Sequence, residues 1–396
     1  MILDIFSELQ KSEGMEESRV YSDAIEQAKL ADEMGFGCWW SVEHHCTGNF
    51  SYCSTPDLFL TLLSQHTKRI RLGTSGVLAP FGIHHPLQVA ERAAFLDLVS
   101  GGRLELGLAR SVNREWDTFG IDPEEASEQV AEALRLIPRF WTEAPFAYES
   151  KYLSIPARDV VPKPVQKPHP PLWVTAAHVE GFERAGRLGV GVLATLLLAP
   201  PETLSVAFEA YQRGIDQAEP AGAFVNDQRA LFTFFHCGET REEAIKSEAA
   251  VAALWFMNSQ PDIYSIRRTD WIESIRANSV MWVNATDNTM APGETQPDFD
   301  FDPNDPVPVI ALMNRQVAGE KIDPVEAFEA LEPYDSVIIG DVDACLAKIQ
   351  GLEALGLDRL MCLMQMGPMR HEAVMQSIRA TGKFLIPKLA GASSIA

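Results

Sequence analysis

The sequence predicts a (β/α)8 barrel, and three observations lead there. Short apolar runs alternate with amphipathic helical patterns eight times along the 396 residues, which implies a parallel sheet with helical crossovers. No GxGxxG follows any of the strand candidates, so a doubly wound dinucleotide-binding sheet has no fingerprint. No repeat of about 20 to 50 residues recurs, which removes solenoids and propellers. One domain over residues 1–396 is expected, with insertions at about 144–171 and 259–333.

Each element has its own warrant. ILDIF (2–6) reads as the first strand, and residues 20–35 place Ala24, Ala28, Leu30, Ala31 and Met34 on one helical face before Gly35 stops the helix. CWWSV (38–42) is the second strand, and Pro56 opens the helix after it. IRLGTSGVL (70–78) leads to a helix over 86–102, and RLELGLA (103–109) to a helix over 122–141 with acids in its first turn. Residues 155–171 are too rich in proline for a regular element and read as an extended or irregular excursion. LWVTAA (172–177), VGVLATLLL (190–198) and RALFTFFHCG (229–238) resume the rhythm, each followed by a helical pattern. From about 259 to 333 the pattern dissolves, and 284–308 carries acids, prolines and glycine that suit a mobile lid. A helix over 341–356, the strand LDRLMCLMQ (357–365) and a helix over 370–390 close the chain.

Composition narrows the function. The formal charge of −22 repels phosphate backbones and anionic lipid, so neither nucleic acid nor a membrane is an expected partner. No stretch reaches the roughly 18 apolar residues of a membrane span. The N-terminus has neither a basic region nor a cleavage pattern, and a cytoplasmic enzyme is expected. The six cysteines show no CxxC and read as reduced, mostly buried thiols.

In a barrel the chemistry sits at the C-terminal strand ends. Strand two runs into Glu43-His44-His45-Cys46, which suits a catalytic site, a metal site or an ordinary polar strand end. Neighbouring residues on a strand point to opposite faces, so His44 and His45 would not readily share a metal, and none is expected. His44 suits acid/base work near neutral pH. Ser75 and Gly76 close strand three with small residues that let a flat ligand approach. His84-His85-Pro86 reads as a helix entry. Arg110 after strand four could hold an anionic or planar ligand. Ala176 and Ala177 lie at a strand–helix junction whose free N–H groups suit a phosphate, and Thr195 adds a hydroxyl.

These residues resemble the bacterial luciferase-like flavin monooxygenases, over about 1–255 and again over about 335–388. The most specific pieces are EHH, the block GTSGVLAPFGIHHPLQVAERAAFLDLVSGGRLELGLARS and PLWVTAAHVEGFERAGRLGVGVL. The resemblance implies a barrel that takes reduced FMN as a diffusible substrate and reacts with O2 through a flavin hydroperoxide. It implies a catalytic role for His44, a bulge at Ser75-Gly76 against the flavin, often with a non-proline cis peptide, and flavin contacts from Arg110, Ala176, Ala177 and Thr195. A separate NAD(P)H:flavin reductase and a homodimer are implied as well. The sequence departs from the family where an arginine often faces the phosphate: EEASEQ offers Ser127 and no base. Cys46 replaces a common aromatic residue. Trp39, Cys46, Phe50 and Tyr52 are the expected substrate-pocket residues, suited to a small organic molecule. Two rivals share the fold: an F420-dependent hydride-transfer enzyme and a non-catalytic flavin-binding barrel.

Overall fold

The computed structural model describes residues 1–48, 50–278, 290 and 294–392. The chain opens with β1 (Ile2–Ser7), α1 (Glu17–Met34), β2 (Cys38–Ser41), α2 (Pro56–His66), β3 (Arg71–Thr74), β4 (Val77–Leu78), α3 (Pro86–Ser100) and β5 (Leu104–Ala109). It continues with α4 (Asn113–Phe119), α5 (Pro123–Thr142), β6 (Phe146–Glu149), β7 (Ser154–Arg158), β8 (Leu172–Thr175), α6 (Val179–Arg187), β9 (Gly191–Thr195) and α7 (Thr203–Ile215). It ends with β10 (Arg229–Gly238), α8 (Arg241–Lys246), α9 (Ala249–Tyr264), α10 (Arg268–Arg276), α11 (Pro308–Val317), α12 (Pro324–Leu331), β11 (Ile338–Asp341), α13 (Val342–Ala354), β12 (Arg359–Leu363), α14 (His371–Ala380) and α15 (Ile386–Ala392).

Eight parallel strands close on themselves in the order β1, β2, β3, β5, β8, β9, β10, β12, with β12 pairing back to β1. These are the eight predicted barrel strands. Helix signals hold locally too. Gly35 ends α1 at φ 87°, its N–H reaching the Ala31 carbonyl, where a left-handed turn favours glycine. Pro56 and Pro86 sit in the first turns of α2 and α3.

Three local expectations change. The excursion before β8 contains an antiparallel hairpin, β6 with β7. A short strand, β11, pairs with the outer half of β10, while the inner half of β10 pairs with β12. It is four residues long and runs straight into α13, whose N-cap Asp341 accepts from the Ala344 N–H, so the apolar residues Val337, Ile338 and Ile339 are too few to stand out as a strand. The segment read as patternless holds α10, α11 and α12, which bury Trp271, Ile272, Val309, Met313 and Phe328. The expected mobile lid falls partly at 279–289 and 291–293, outside the described residues.

The N-terminal end of the barrel is closed by a buried polar network. Arg359 donates to both oxygens of Asp4 at 2.8 and 2.9 Å, and the Trp40 indole N–H donates to Asp4 at 2.9 Å. Burial raises the Asp4 pKa while Arg359 and Trp40 pull it back, and the two-point geometry is that of an ion pair. Trp40 packs edge-on to Trp173 of β8 with centroids 5.2 Å apart.

Candidate functional site

At the C-terminal end the barrel opens into a cavity holding about 1000 Å³ of empty space, its mouth included. Ser75, Gly76, Ala109, Arg110, Ala176, Ala177, Leu193 and Thr195 line one side of it, and Phe6, Glu8, Val42, Glu43, His44, Phe232 and Tyr264 the other. Three residues just past the strand ends carry positive φ without being glycine: Leu9 at 50°, Cys46 at 56° and Ser111 at 76°. Such backbone costs on the order of 1 kcal/mol per residue, and it gathers at functional sites.

His44 is held by a carboxylate from the start of α4. Its Nδ1 donates to Glu115 Oε1 at 3.0 Å. Glu115 has no exposed surface, and it also accepts from the His45 N–H, the Val112 N–H and the Ser111 hydroxyl. Burial pushes the Glu115 pKa up, but the His44 hydrogen bond and charge and those further donors bring it below the usual value. For His44, burial is the largest single influence and lowers the pKa. The Glu115 hydrogen bond and the charges of Glu115, Glu8 and Glu43 together outweigh it and raise the pKa to about 9. His44 is therefore an imidazolium at neutral pH, its second nitrogen turned toward Glu8 at 3.8 Å. Burial raises Glu8 to about 7, with His44 opposing and Glu115 assisting. Glu8 Oε2 is buried with no hydrogen-bond partner.

The opposite wall is built for close approach. Ser75 and Gly76 are joined by a cis peptide between β3 and β4. A Cβ on Gly76 would lie 2.6 Å from the Leu108 carbonyl carbon and 2.9 Å from the Gly107 carbonyl, so only glycine fits there. Beyond Arg110 the cavity continues into an annex of about 560 Å³ lined by Arg110, Ser127, Ala176, Ala177, His178 and Arg184. The first turn of α6 faces this annex, and its N-cap residue His178 makes no side-chain cap bond. Burial and the charge of Arg184 lower the Arg110 pKa, so two cations face one small space, as an anion site requires. Thr195 Oγ1 is buried without a partner. A planar ring ending in a phosphate fits this donor set: small residues for the ring, a waiting hydroxyl, and cations with helix N–H groups for the anion. The sequence reading, which sought a base early in α5, missed Arg184. The base comes from α6 instead, and Ser127 of α5 lines the same annex.

The other residues of the strand-two motif separate as alternation requires. His45 and His84 both point Nε2 at Glu43 Oε1, at 3.0 and 2.6 Å, and the Leu78 N–H holds the other oxygen at 2.9 Å. The His84 expectation is thereby corrected: only His85 serves helix entry, accepting from the Leu87 N–H at 3.2 Å. Ligand atoms of Glu43, His45 and His84 lie within 4.8 Å of one another. Arg92 approaches His84 Nδ1 at 3.2 Å and, having only protons to offer, makes that nitrogen an acceptor. His84 Nε2 then carries the hydrogen given to Glu43, which hydrogen bonding explains without a metal.

The four expected pocket residues do not line the cavity. Trp40 occupies the barrel interior, so alternation turns its fully buried neighbour Trp39 to the other face. Cys46 is exposed. Phe50 is buried between the His44 edge and Trp255 and Phe256 of α9. The Tyr52 ring lies under Lys11. Residues that sequence reasoning missed are Glu8, Glu115, Tyr264 and Arg184; the available signals were an acid just past a strand end for Glu8 and a place in the block PLWVTAAHVEGFERAGRLGVGVL for Arg184.

Fold and site together define a barrel enzyme with its chemistry at the C-terminal mouth. The sequence profile of the luciferase-like monooxygenases matches residues 1–359, and the chain belongs to that family. It is 33% identical over 189 residues to the oxygenase component of a flavin-dependent trigonelline monooxygenase of Acinetobacter baylyi, covering 47% of this chain and 51% of that protein. The match therefore spans about half the length of that relative. The oxygenating constituent of 3,6-diketocamphane monooxygenase from Pseudomonas putida, solved with FMN, superposes with a TM-score of 0.71 at 18% identity over 98% of each chain. The coenzyme F420-dependent tetrahydromethanopterin reductase of Methanopyrus kandleri superposes with a TM-score of 0.64 at 21% identity, covering 98% of this chain and 99% of that one. Both superpositions bear on the fold alone. Among the described residues no helix is long and apolar enough to cross a membrane.

Proposed function

We propose that this protein is the oxygenase component of a two-component monooxygenase that uses reduced FMN and O2 to oxygenate a small organic substrate. One observation carries the reading: a glycine-walled slot leads into an annex with two arginines and a helix N-terminus, and an imidazolium faces the slot from across the cavity. Reduced flavin, when bound, supplies the electrons that activate O2. The chain's own residues do the rest. Arg110, Arg184 and the α6 N–H groups would hold the phosphate, the small residues Ser75, Gly76 and Ala176 would border the ring, and the Thr195 hydroxyl would be free to hydrogen-bond it. His44 offers an N–H to the oxygen on which negative charge gathers, and Glu115 keeps that imidazole charged and oriented. Phe50 with Trp255 and Phe256 of α9 packs beside His44 and limits entry of water.

Electrons come in this reading from a separate NAD(P)H:flavin reductase, as the relative's designation as an oxygenase component suggests. A homodimer is proposed across α2 and α3, whose packed pair exposes Leu58, Leu62, Phe95, Leu98 and Val99. The arginine pair also suits the anionic tail of F420, which sustains hydride transfer on this fold as a second reading. Oxygen uptake with chemically reduced FMN, measured beside bleaching of F420, separates them. Uptake with FMN and no F420 turnover is expected. F420 turnover without oxygen uptake would replace the proposal, and flavin binding with neither reaction would leave a non-catalytic barrel.

A further inference from the structure

Around the barrel the cavity wall divides into two continuous arcs. The arc from β3 to β9 carries the residues assigned above to flavin. The arc from β10 through β12 and β1 to β2 carries Phe232, Phe6, Glu8 and His44. Phe6 and Phe232 stack face to face with ring centroids 4.1 Å apart and planes within 3°, which makes a compact apolar wall on this arc. Two residues after Phe6, on the same face of the chain, stands Glu8.

Glu8 is 4% exposed, lines the cavity, and keeps Oε2 without a hydrogen-bond partner. His44 Nε2 is 3.8 Å away, beyond hydrogen-bond range. The segment is not loose: the Ser51 hydroxyl donates to the Glu8 carbonyl at 2.7 Å, and Leu9 beside it holds a strained positive φ of 50°. Buried carboxylate oxygens are nearly always paired, so one that is fixed in place and buried in the cavity wall without a hydrogen bond marks a missing donor. The flavin arc is on the other side, and a flavin phosphate would avoid this carboxylate.

We propose that Glu8 determines substrate specificity by accepting a hydrogen bond from an O–H or N–H group on a substrate whose apolar body packs against the Phe6–Phe232 pair. The class is a phenol, an aniline or an N–H heterocycle, rather than a hydrocarbon, simple aldehyde or carboxylate. The assignment of this arc to substrate rests on the flavin reading of the other.

Matched probes test it: 4-ethylphenol, which donates, against 4-ethylanisole, which has the same body and cannot. Binding to the full chain is measured by calorimetry with and without oxidised FMN. The phenol is expected to bind about tenfold more tightly than the ether, as a hydrogen bond to a charged acceptor gives. Glu8→Leu should bring the ratio to about one, and Glu8→Gln should leave a preference of a few fold. Thermal melting confirms that each variant is folded, and FMN affinity should not change in either. Equal affinities in the unaltered protein, no saturable phenol binding, or a preference that survives Glu8→Leu each overturn the proposal. Failure of FMN to bind the unaltered protein sinks the flavin reading instead, and leaves the phenol-to-ether ratio to judge Glu8.

Discussion

Asp4 and Glu8 are buried carboxylates near the two ends of β1, and they are treated in opposite ways. Asp4 takes the Nε and Nη2 N–H groups of Arg359 from β12 and the Trp40 indole N–H from β2, which ties three strands together at the barrel bottom. Glu8 has an oxygen with no hydrogen bond at all. Thr195, across the mouth, shares that condition. In this fold the N-terminal end carries stability and the C-terminal end carries the reaction. The contrast shows both within one strand: the protein supplies every donor that Asp4 takes, and leaves an oxygen of Glu8 on the cavity wall without one.

The largest expected effect comes from removing the support of the His44 imidazolium. Glu115→Gln keeps the shape and takes away the carboxylate that raises His44, so turnover with reduced FMN should fall by about 10² to 10⁴-fold. Flavin affinity should hardly move. Unchanged turnover would remove His44 and Glu115 from the chemistry.

Next comes the contrast itself. Asp4→Asn strands Arg359 in the barrel floor and should lower unfolding stability in urea by about 3–5 kcal/mol. Glu8→Gln removes a buried carboxylate whose Oε2 has no hydrogen bond, and should leave stability unchanged or raise it by up to about 1 kcal/mol. Similar losses from both substitutions would show that Glu8 is structural.

A smaller effect concerns pH. Glu8 ionises at about 7 and His44 loses its proton at about 9. kcat/KM should therefore rise as pH climbs through about 7, and fall as it passes about 9. Glu8→Gln should abolish the lower limb and, by removing a charge that raises His44, move the upper limb to lower pH. Glu43, Glu115 and Tyr264 face the same pair; burial first, then the charges of Glu8 and Glu115, keep the Tyr264 phenol neutral across that window. A profile flat between pH 6 and 10 would dismiss both groups.

The smallest effect on chemistry is expected from Leu58→Glu with Phe95→Glu on the exposed α2–α3 face. Sedimentation should show a dimer becoming a monomer, with flavin affinity retained. An unaltered sedimentation coefficient would place the interface elsewhere.

The barrel was readable in the sequence because each of its strands is an apolar run followed by a helical period. His44 was readable because a strand end in a barrel has a known place. What escaped were partnerships made across elements. Glu115 meets His44 from 71 residues away, and Arg184 joins Arg110 at the annex only once α6 is packed against β8 and β9. Glu8 is a single acid after a strand, with nothing nearby to distinguish it from the surface acids. Trp39 and Trp40 differ only in which face of β2 they occupy, and adjacent tryptophans give no phase by themselves. His84 looked like part of a helix entry because the carboxylate it meets lies 41 residues earlier.

The most direct measurement is an anaerobic titration of the protein with reduced FMN and with reduced riboflavin, which lacks the phosphate. Saturable binding of both is expected, with FMN about tenfold tighter and that margin lost in Arg184→Ala. Equal affinity for the two flavins in the unaltered protein, or no saturable binding of either, would contradict the assignment of the arginine annex and the slot beside it to flavin.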